Sequence, residues 1–303
     1  MKLKTDQITL LRMKKKSKKK VLITGSTGFI GFHLKKKLNL KFKLFTPNKK
    51  KLDLKKKRNL KSYLDKLKPD IIINLASSTI FKKKIKSEKN NQFNNTYLTN
   101  KNLVDTVNNN CKFIIFFGSI EEYGECNLPY GEKMEPKPKS FYGKYKYKAY
   151  LYAKRKLKKK KINYIWLRPS LTYGYKDNRE RYLGQIINAL KNDQKIILHP
   201  GDQVRDYIYV DDLCKIVELL LVSKTYKFNS VLNVSAQNYI KLVSLPKKVE
   251  IIANQKINYQ FKKNNNEINM INSNKKLKRL FPNLKFSNFK RSLETVIKQE
   301  LKI

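Results

Sequence analysis

Among the 303 residues, three side chains have types and spacing suited to proton chemistry. Ser119 is followed 23 residues later by Tyr142, and Lys146 completes Y-x-x-x-K within SFYGKYKYKAY. On a helix, positions i and i+4 share a face, so Lys146 can stand beside Tyr142. An ammonium there favours phenolate; bringing a tyrosine from about 10 toward neutrality takes about three units, or roughly 4 kcal/mol. Such a tyrosine can act as general acid or base toward a carbonyl or hydroxyl, with Ser119 holding the same oxygen. The motif alone carries little, because with 18 Tyr and abundant Lys about four matches arise by chance. Five occur, starting at Tyr97, Tyr142, Tyr150, Tyr152 and Tyr259. Place selects Tyr142: it lies downstream of a strand-end serine, follows Pro138 and Ser140, and opens a long helical pattern.

A second cluster is VLITGSTGFIGFHL, which uses three of the chain's 10 glycines. Gly25, Gly28 and Gly31 form G-x-x-G-x-x-G between an aliphatic strand (Val21, Leu22, Ile23) and an apolar-faced helix opened by Phe29, Ile30, Phe32 and Leu34. In this context Gly25 takes the tight turn, Gly28 lets the backbone approach a pyrophosphate, and Gly31 lets helix pack on strand, with the helix N-terminus facing the anion. A nicotinamide dinucleotide held there would carry the hydride that the Tyr142 chemistry requires.

Those clusters need a sheet to hold them. Strands are expected at Val21–Thr24, Phe42–Phe45, Ile71–Asn74, Phe113–Phe117 and Tyr164–Leu167, with helical segments between them. That alternation is the order of an α/β doubly wound parallel sheet of Rossmann type, in which ligands bind beyond the carboxyl ends of the strands. The expected organisation is a basic extension over residues 1–17 outside the fold and a dinucleotide-binding domain over 18–170. A smaller, more helical substrate lobe follows over 171–303, interleaved with the first domain and poorly patterned from Lys262 to Lys278.

Charge is lopsided, with 69 basic against 23 acidic residues and a net +46. Lysine dominates and is spread over every expected helix surface, whereas nucleic-acid sites favour the arginine fork. Solvated lysine faces are therefore expected, with polyanion binding nonspecific. Cys111, Cys126 and Cys214 are odd in number without C-x-x-C spacing, so neither a disulfide framework nor a metal site is expected. His33 and His199 lack ligand-spaced partners. No apolar run approaches a membrane span, and a reducing cytoplasm is the expected location.

From Lys18 to Leu221, and more weakly beyond, the chain resembles the extended short-chain dehydrogenase/reductases, specifically the NAD-dependent epimerase/dehydratase group acting on nucleotide sugars. The resemblance rests on TGSTGFIG, LDL at Leu52–Leu54, NLAS at Asn74–Ser77, GSIEEYG, YGKYK and RDYIYVDDL. It implies that the loop of Gly25, Ser26, Thr27, Gly28, Phe29, Ile30 and Gly31 binds the cofactor, NAD or NADP. Asp53 and Leu54, then Leu75, Ala76 and Ser77, would contribute further cofactor contacts, with Asp53 at adenine. It implies catalysis by Ser119, Tyr142 and Lys146, a diphosphate grip by Arg205, polysaccharide biosynthesis as the setting, and a homodimer through the Y-x-x-x-K helix. In related dehydratases a glutamate at the position of Glu121 helps remove water, and Ile120 replaces an aspartate that some of them carry.

The departures shape the reading of the reaction. The second strand ends in Phe45-Thr46-Pro47-Asn48-Lys49-Lys50, without the acid that grips ribose hydroxyls in NAD-specific members, and its lysines suit a 2′-phosphate. Leu171 replaces the family's frequent asparagine in LRPSLTYG. The expected function is hydride transfer at C4 of a nucleotide-diphosphate sugar, ending in epimerisation or dehydration. The alternatives are an NADPH-dependent 4-keto-6-deoxy-sugar reductase and, from another class, a non-catalytic nucleotide- or RNA-binding protein.

Overall fold

The computed structural model describes residues 18–78, 84–199, 201–223, 229–262 and 268–302. The extension over 1–17 therefore lies outside the described residues, as does part of the Lys262–Lys278 stretch.

Six parallel strands form the central sheet: β1 (Lys20–Thr24), β2 (Lys43–Phe45), β3 (Ile71–Asn74), β4 (Phe113–Phe117), β5 (Asn163–Pro169) and β9 (Ser230–Val234). Their spatial order is β2-β1-β3-β4-β5-β9. Strand order reverses between β1 and β3, the point at which a doubly wound sheet opens a crevice at its carboxyl edge. The five strands expected from the sequence are all present to within two residues at either end. The sixth, β9, pairs with β5 from residue 230, so the chain crosses a second substructure before completing the sheet.

Period-2 alternation gives the sheet two apolar faces. Val21, Ile23, Ile71, Ile73, Phe113, Ile115 and Ile165 face one side. There they meet α1 (Phe29–Leu38) and α7 (Val210–Val222), the latter through Leu213, Ile216, Val217 and Leu220. Leu22, Ile72, Ile114, Phe116 and Trp166 face the other. Its cover is α2 (Lys57–Leu67), α4 (Leu98–Thr106) and α5 (Phe141–Lys160), the last through Ala149, Ala153 and Leu157. Each fully buried aliphatic side chain contributes about 1.5–3 kcal/mol, so both layers are held without help from the charged surface.

The path from β3 to β4 runs through α3 (Ile85–Gln92), a π-helical turn at Phe93–Tyr97 and then α4. After β5 the chain builds a smaller layer. A three-stranded sheet is ordered β10-β8-β6, from β6 (Leu171–Tyr173), β8 (Val204–Tyr209) and β10 (Asn238–Lys241). A pair joins β7 (Ile196–Leu198) to β11 (Tyr259–Phe261). The helices of this part are α6 (Tyr182–Asn192), α8 (Leu245–Ala253), α9 (Lys275–Leu280) and α10 (Phe289–Leu301), with α7 returning to the main sheet. Among the described residues no helix is long and apolar enough to cross a membrane.

Candidate active site

The glycine loop sits at the reversal point. Gly25 has φ +70, and a Cβ there would come within 2.8 Å of the Ala76 backbone nitrogen, so the turn leaving β1 admits only glycine against the end of β3. Gly31 presses α1 onto the same turn, its missing Cβ 2.6 Å from the Gly25 carbonyl oxygen. Gly28 differs: a Cβ there would meet nothing nearer than 3.4 Å. Its exposed face opens to the cleft, and α1 starts at Gly28 with no capping side chain and no acid in its first turn. That leaves the helix N-terminal N–H groups and their positive field for an anion.

A cleft of about 390 Å³ runs from this loop to the carboxyl end of β4 and the start of α5. Thr27, Phe29, Ile30, Leu75, Ala76 and Ser77 line it together with Ser119, Glu121, Tyr142 and Lys146. An adjoining cavity of about 420 Å³ shares Gly25, Thr27, Ala76 and Ser77 and is walled by Pro47, Lys49, Asp53, Leu54 and Lys55. Two linked chambers meeting at a bare helix N-terminus fit a dinucleotide, with Ser119, Tyr142 and Lys146 at one end and Asp53 at the other. Ser26 is turned elsewhere: its hydroxyl is buried and donates to the Thr46 and Pro47 carbonyls, tying the loop to the end of β2.

The β4 end delivers Ser119 as the cap of a 3₁₀ turn at Ile120–Glu122. Its Oγ accepts the Glu121 N–H at 3.2 Å, which leaves the hydroxyl hydrogen for a ligand. Ser140 caps α5 by accepting the Gly143 N–H at 3.0 Å, and its own hydroxyl donates to Glu121 Oε2 at 2.7 Å. One turn into α5, Lys146 is 3% exposed, and its Nζ donates to the Phe117 carbonyl at 2.5 Å while standing 5.6 Å from the Tyr142 ring centre.

The electrostatics correct one expectation. Tyr142 is not drawn toward phenolate: burial first, and then the Glu121 and Glu122 carboxylates, raise the phenol above its ordinary range. Arg181 and a hydrogen bond with Ser77 act in the opposite direction. Lys146 itself is pushed down to about 8 by burial, against the pull of Glu122. Glu121 is also raised, chiefly by burial, with Ser140 and two arginines opposing.

Arg205, expected at the substrate diphosphate, lies away from the cleft lining, and Arg181, which the sequence did not single out, is there instead. Arg205, on β8, does not line the cleft: its Nη1 donates to the Ile268 carbonyl at 2.7 Å and it is 8% exposed. Arg181, at the start of α6, does line the cleft, bonded to the Thr172 carbonyl at 2.8 Å and paired with Asp177 at 3.2 Å. Nothing in its local sequence distinguishes Arg181 from Arg179; its position depends on how β6 leads into α6. Glu122 and Arg168, the buried ion pair beneath Ser119, also escaped sequence reasoning. His33 pins α1 to the start of α7, through Asp211 at 3.2 Å, and to the loop after β6, through the Tyr175 carbonyl at 2.8 Å.

A glycine loop at a sheet reversal, joined to a cleft lined by Ser119, Tyr142 and Lys146, defines a Rossmann-type α/β protein. The sequence pattern of the NAD dependent epimerase/dehydratase family matches residues 21–234, and the chain is an enzyme of that family. It is 30% identical over 275 residues to a dTDP-D-glucose 4,6-dehydratase of Dictyostelium discoideum, an alignment covering 76% of this chain but only 61% of that protein. It is 30% identical over 228 residues to a GDP-6-deoxy-D-talose 4-dehydrogenase of Aggregatibacter actinomycetemcomitans, covering 71% of this chain and 74% of that one. Its fold is similar to that of a UDP-glucose 4-epimerase from Thermotoga maritima solved with UDP-glucose, with a TM-score of 0.83 at 20% identity over 93% of this chain and 99% of the other.

Proposed function

We propose that the protein transfers hydride between NAD or NADP and C4 of a nucleotide-diphosphate sugar, with Tyr142 exchanging the proton of the C4 oxygen. The observation that carries this reading is the convergence of Ser119, Glu121, Tyr142 and Lys146 on one wall of a cleft whose far end is the glycine loop. The relatives' names point to the same carbon, since they are a 4,6-dehydratase, a 4-dehydrogenase and a 4-epimerase.

When bound, the nicotinamide supplies the acceptor and donor of hydride. Tyr142 holds the proton at the C4 oxygen, and the free hydrogen of Ser119 Oγ donates to that oxygen. Lys146 places a cation beneath the phenol, with one N–H already committed to Phe117. Glu121, whose carboxyl burial holds above its ordinary range, is the group available for loss of water next to a C4 ketone. Arg181 faces the sugar end of the cleft, and we assign it the anion contact there; Arg205 would reach a diphosphate only by leaving the Ile268 carbonyl. A homodimer through α5 would bury Leu151, which is 46% exposed, beside a lysine-rich flank.

The NADPH-dependent 4-keto reductase is the second reading, favoured by two observations. Lys49 and Lys55 wall the adenine-side cavity, where Asp53 is the lining carboxylate, and the raised Tyr142 rests as the phenol that a ketone reduction consumes. Turnover is favoured over mere binding because three titratable side chains are desolvated in one ligand-sized cleft. Native mass spectrometry followed by denaturation tests the readings. Retained NAD supports an epimerase or dehydratase that recycles its cofactor, and an empty protein that prefers NADPH supports the reductase. A protein that binds neither contradicts both.

A further inference from the structure

Glu122 is buried beneath the cleft wall yet has no part in the chemistry proposed above. It and Arg168 are sealed from solvent, at 0% and 1% exposure. Glu122 Oε1 accepts the Ser119 backbone N–H at 2.9 Å and the Trp166 Nε1–H at 2.9 Å, and Oε2 accepts Arg168 Nε–H at 2.8 Å. The guanidinium lies 4.5 Å from the Tyr123 ring centre and 5.6 Å from that of Tyr150. Desolvating such a pair is costly, and apolar side chains of equal volume often stabilise a core as well. Stability alone therefore gives no reason for it.

Its placement does. Gly118 is the residue between β4 and Ser119, and a Cβ there would come within 2.2 Å of Glu122 Oε1. The carbonyl just before Gly118, that of Phe117, is the acceptor for Lys146 Nζ. The ammonium and the carboxylate thus bind the two peptide groups that flank Gly118, one at the Phe117 carbonyl and the other at the Ser119 N–H, and both are buried.

We infer that Glu122 is a positioning residue for this site: it fixes Ser119 through the backbone N–H and supplies the negative charge that keeps Lys146 protonated inside the protein. The inference rests on Ser119, Tyr142 and Lys146 being the reacting set. Lys146 is faced by the Tyr142 ring on its own helix, by the Phe117 carbonyl of β4 and by Glu122 from the 3₁₀ turn; Glu122 is faced by Trp166 and Arg168 of β5. Glu122 opposes the downward push of burial on Lys146, and it raises Tyr142. One carboxylate thereby favours the protonated form of both the ammonium and the phenol.

Competitive acylation of the whole chain across pH, read by peptide mass spectrometry, follows Lys146 directly, with exposed Lys154 of the same helix as reference. Glu122→Gln keeps an oxygen for the Ser119 and Trp166 N–H groups while removing the charge. The expected result is a Lys146 midpoint lower by about one unit, a tenfold loss of proton affinity, with Lys154 unmoved. Glu122→Gln leaves Arg168 without a counter-ion and can unfold the chain, so the double variant Glu122→Gln/Arg168→Met is measured alongside, with the same expected shift. An unmoved Lys146 midpoint in a variant that still melts cooperatively overturns the inference. The labelling needs neither cofactor nor substrate, so it can fail while the proposed function stands. Conversely, normal turnover by Tyr142→Phe would defeat the proposed function and leave the labelling result intact.

Discussion

Glu122, beneath the cleft wall, and Asp206, in the small sheet on β8, are both fully buried carboxylates, and they behave in opposite ways. Glu122 is paired with a guanidinium and takes two further N–H donors. Asp206 takes the Ser170 hydroxyl at 2.6 Å and forms no ion pair among the described residues. Burial pushes Asp206 up to about 6, although hydroxyl and backbone donors pull against it. Glu122 has a guanidinium beside it in the dry interior, whereas Asp206, with hydroxyl and backbone donors but no cation, is left ready to take up a proton near neutrality. The Glu122–Arg168 pair is thus held by opposite charge, whereas Asp206 in the small sheet responds to pH.

Breaking the guanidinium side should have the largest effect on stability. Arg168→Met strands the Glu122 charge, and denaturant unfolding should show a loss of about 3–5 kcal/mol. A loss below about 1 kcal/mol would erase the contrast. Asp206→Asn sharpens it from the other side. The folded carboxyl titrates near 6 and the unfolded one near 3.8, so the native state binds the proton more tightly. Its contribution is fully present below the unfolded value and is lost as pH rises through 6, on the order of 2–3 kcal/mol. Unfolding midpoints measured from pH 4 to 7 should therefore fall more steeply for the natural chain than for Asp206→Asn; parallel profiles would contradict the assignment. The smallest effect belongs to a carboxylate at the surface. Glu125 pairs with Lys139 at 2.6 Å in solvent, so Glu125→Gln should cost no more than about 1 kcal/mol, a difference that shrinks with added salt. A loss like that of Arg168→Met would mean that burial is not what separates these groups.

What could be read from the sequence follows the range of each interaction. The strand core Ile71–Asn74 and the glycine loop are local patterns, and the structure places them as expected. Tyr142 and Lys146 share a helix face for the same local reason. β9 was missed because its partner β5 lies some sixty residues earlier, so its pairing has no local signature. In GSIEEYG the two adjacent glutamates are indistinguishable until the 3₁₀ turn points Glu121 into the cleft and Glu122 into the core. The direction of the Tyr142 shift was misjudged because spacing reveals the neighbouring ammonium but not the desolvation and the two carboxylates that outweigh it. Arg205 was expected at the ligand by resemblance, yet the Ile268 carbonyl, from a distant segment, holds it.

In the proposed function Tyr142 exchanges the proton that accompanies hydride transfer at C4. The direct measurement is single-turnover transfer of deuterium between labelled NAD(P)H and C4 of a nucleotide 4-keto sugar, in the natural chain and in Tyr142→Phe, with cofactor binding followed by fluorescence. The account predicts that the variant binds cofactor within a few-fold of the natural chain but transfers deuterium about 10²–10⁴ times more slowly. Transfer at the natural rate in Tyr142→Phe would contradict it.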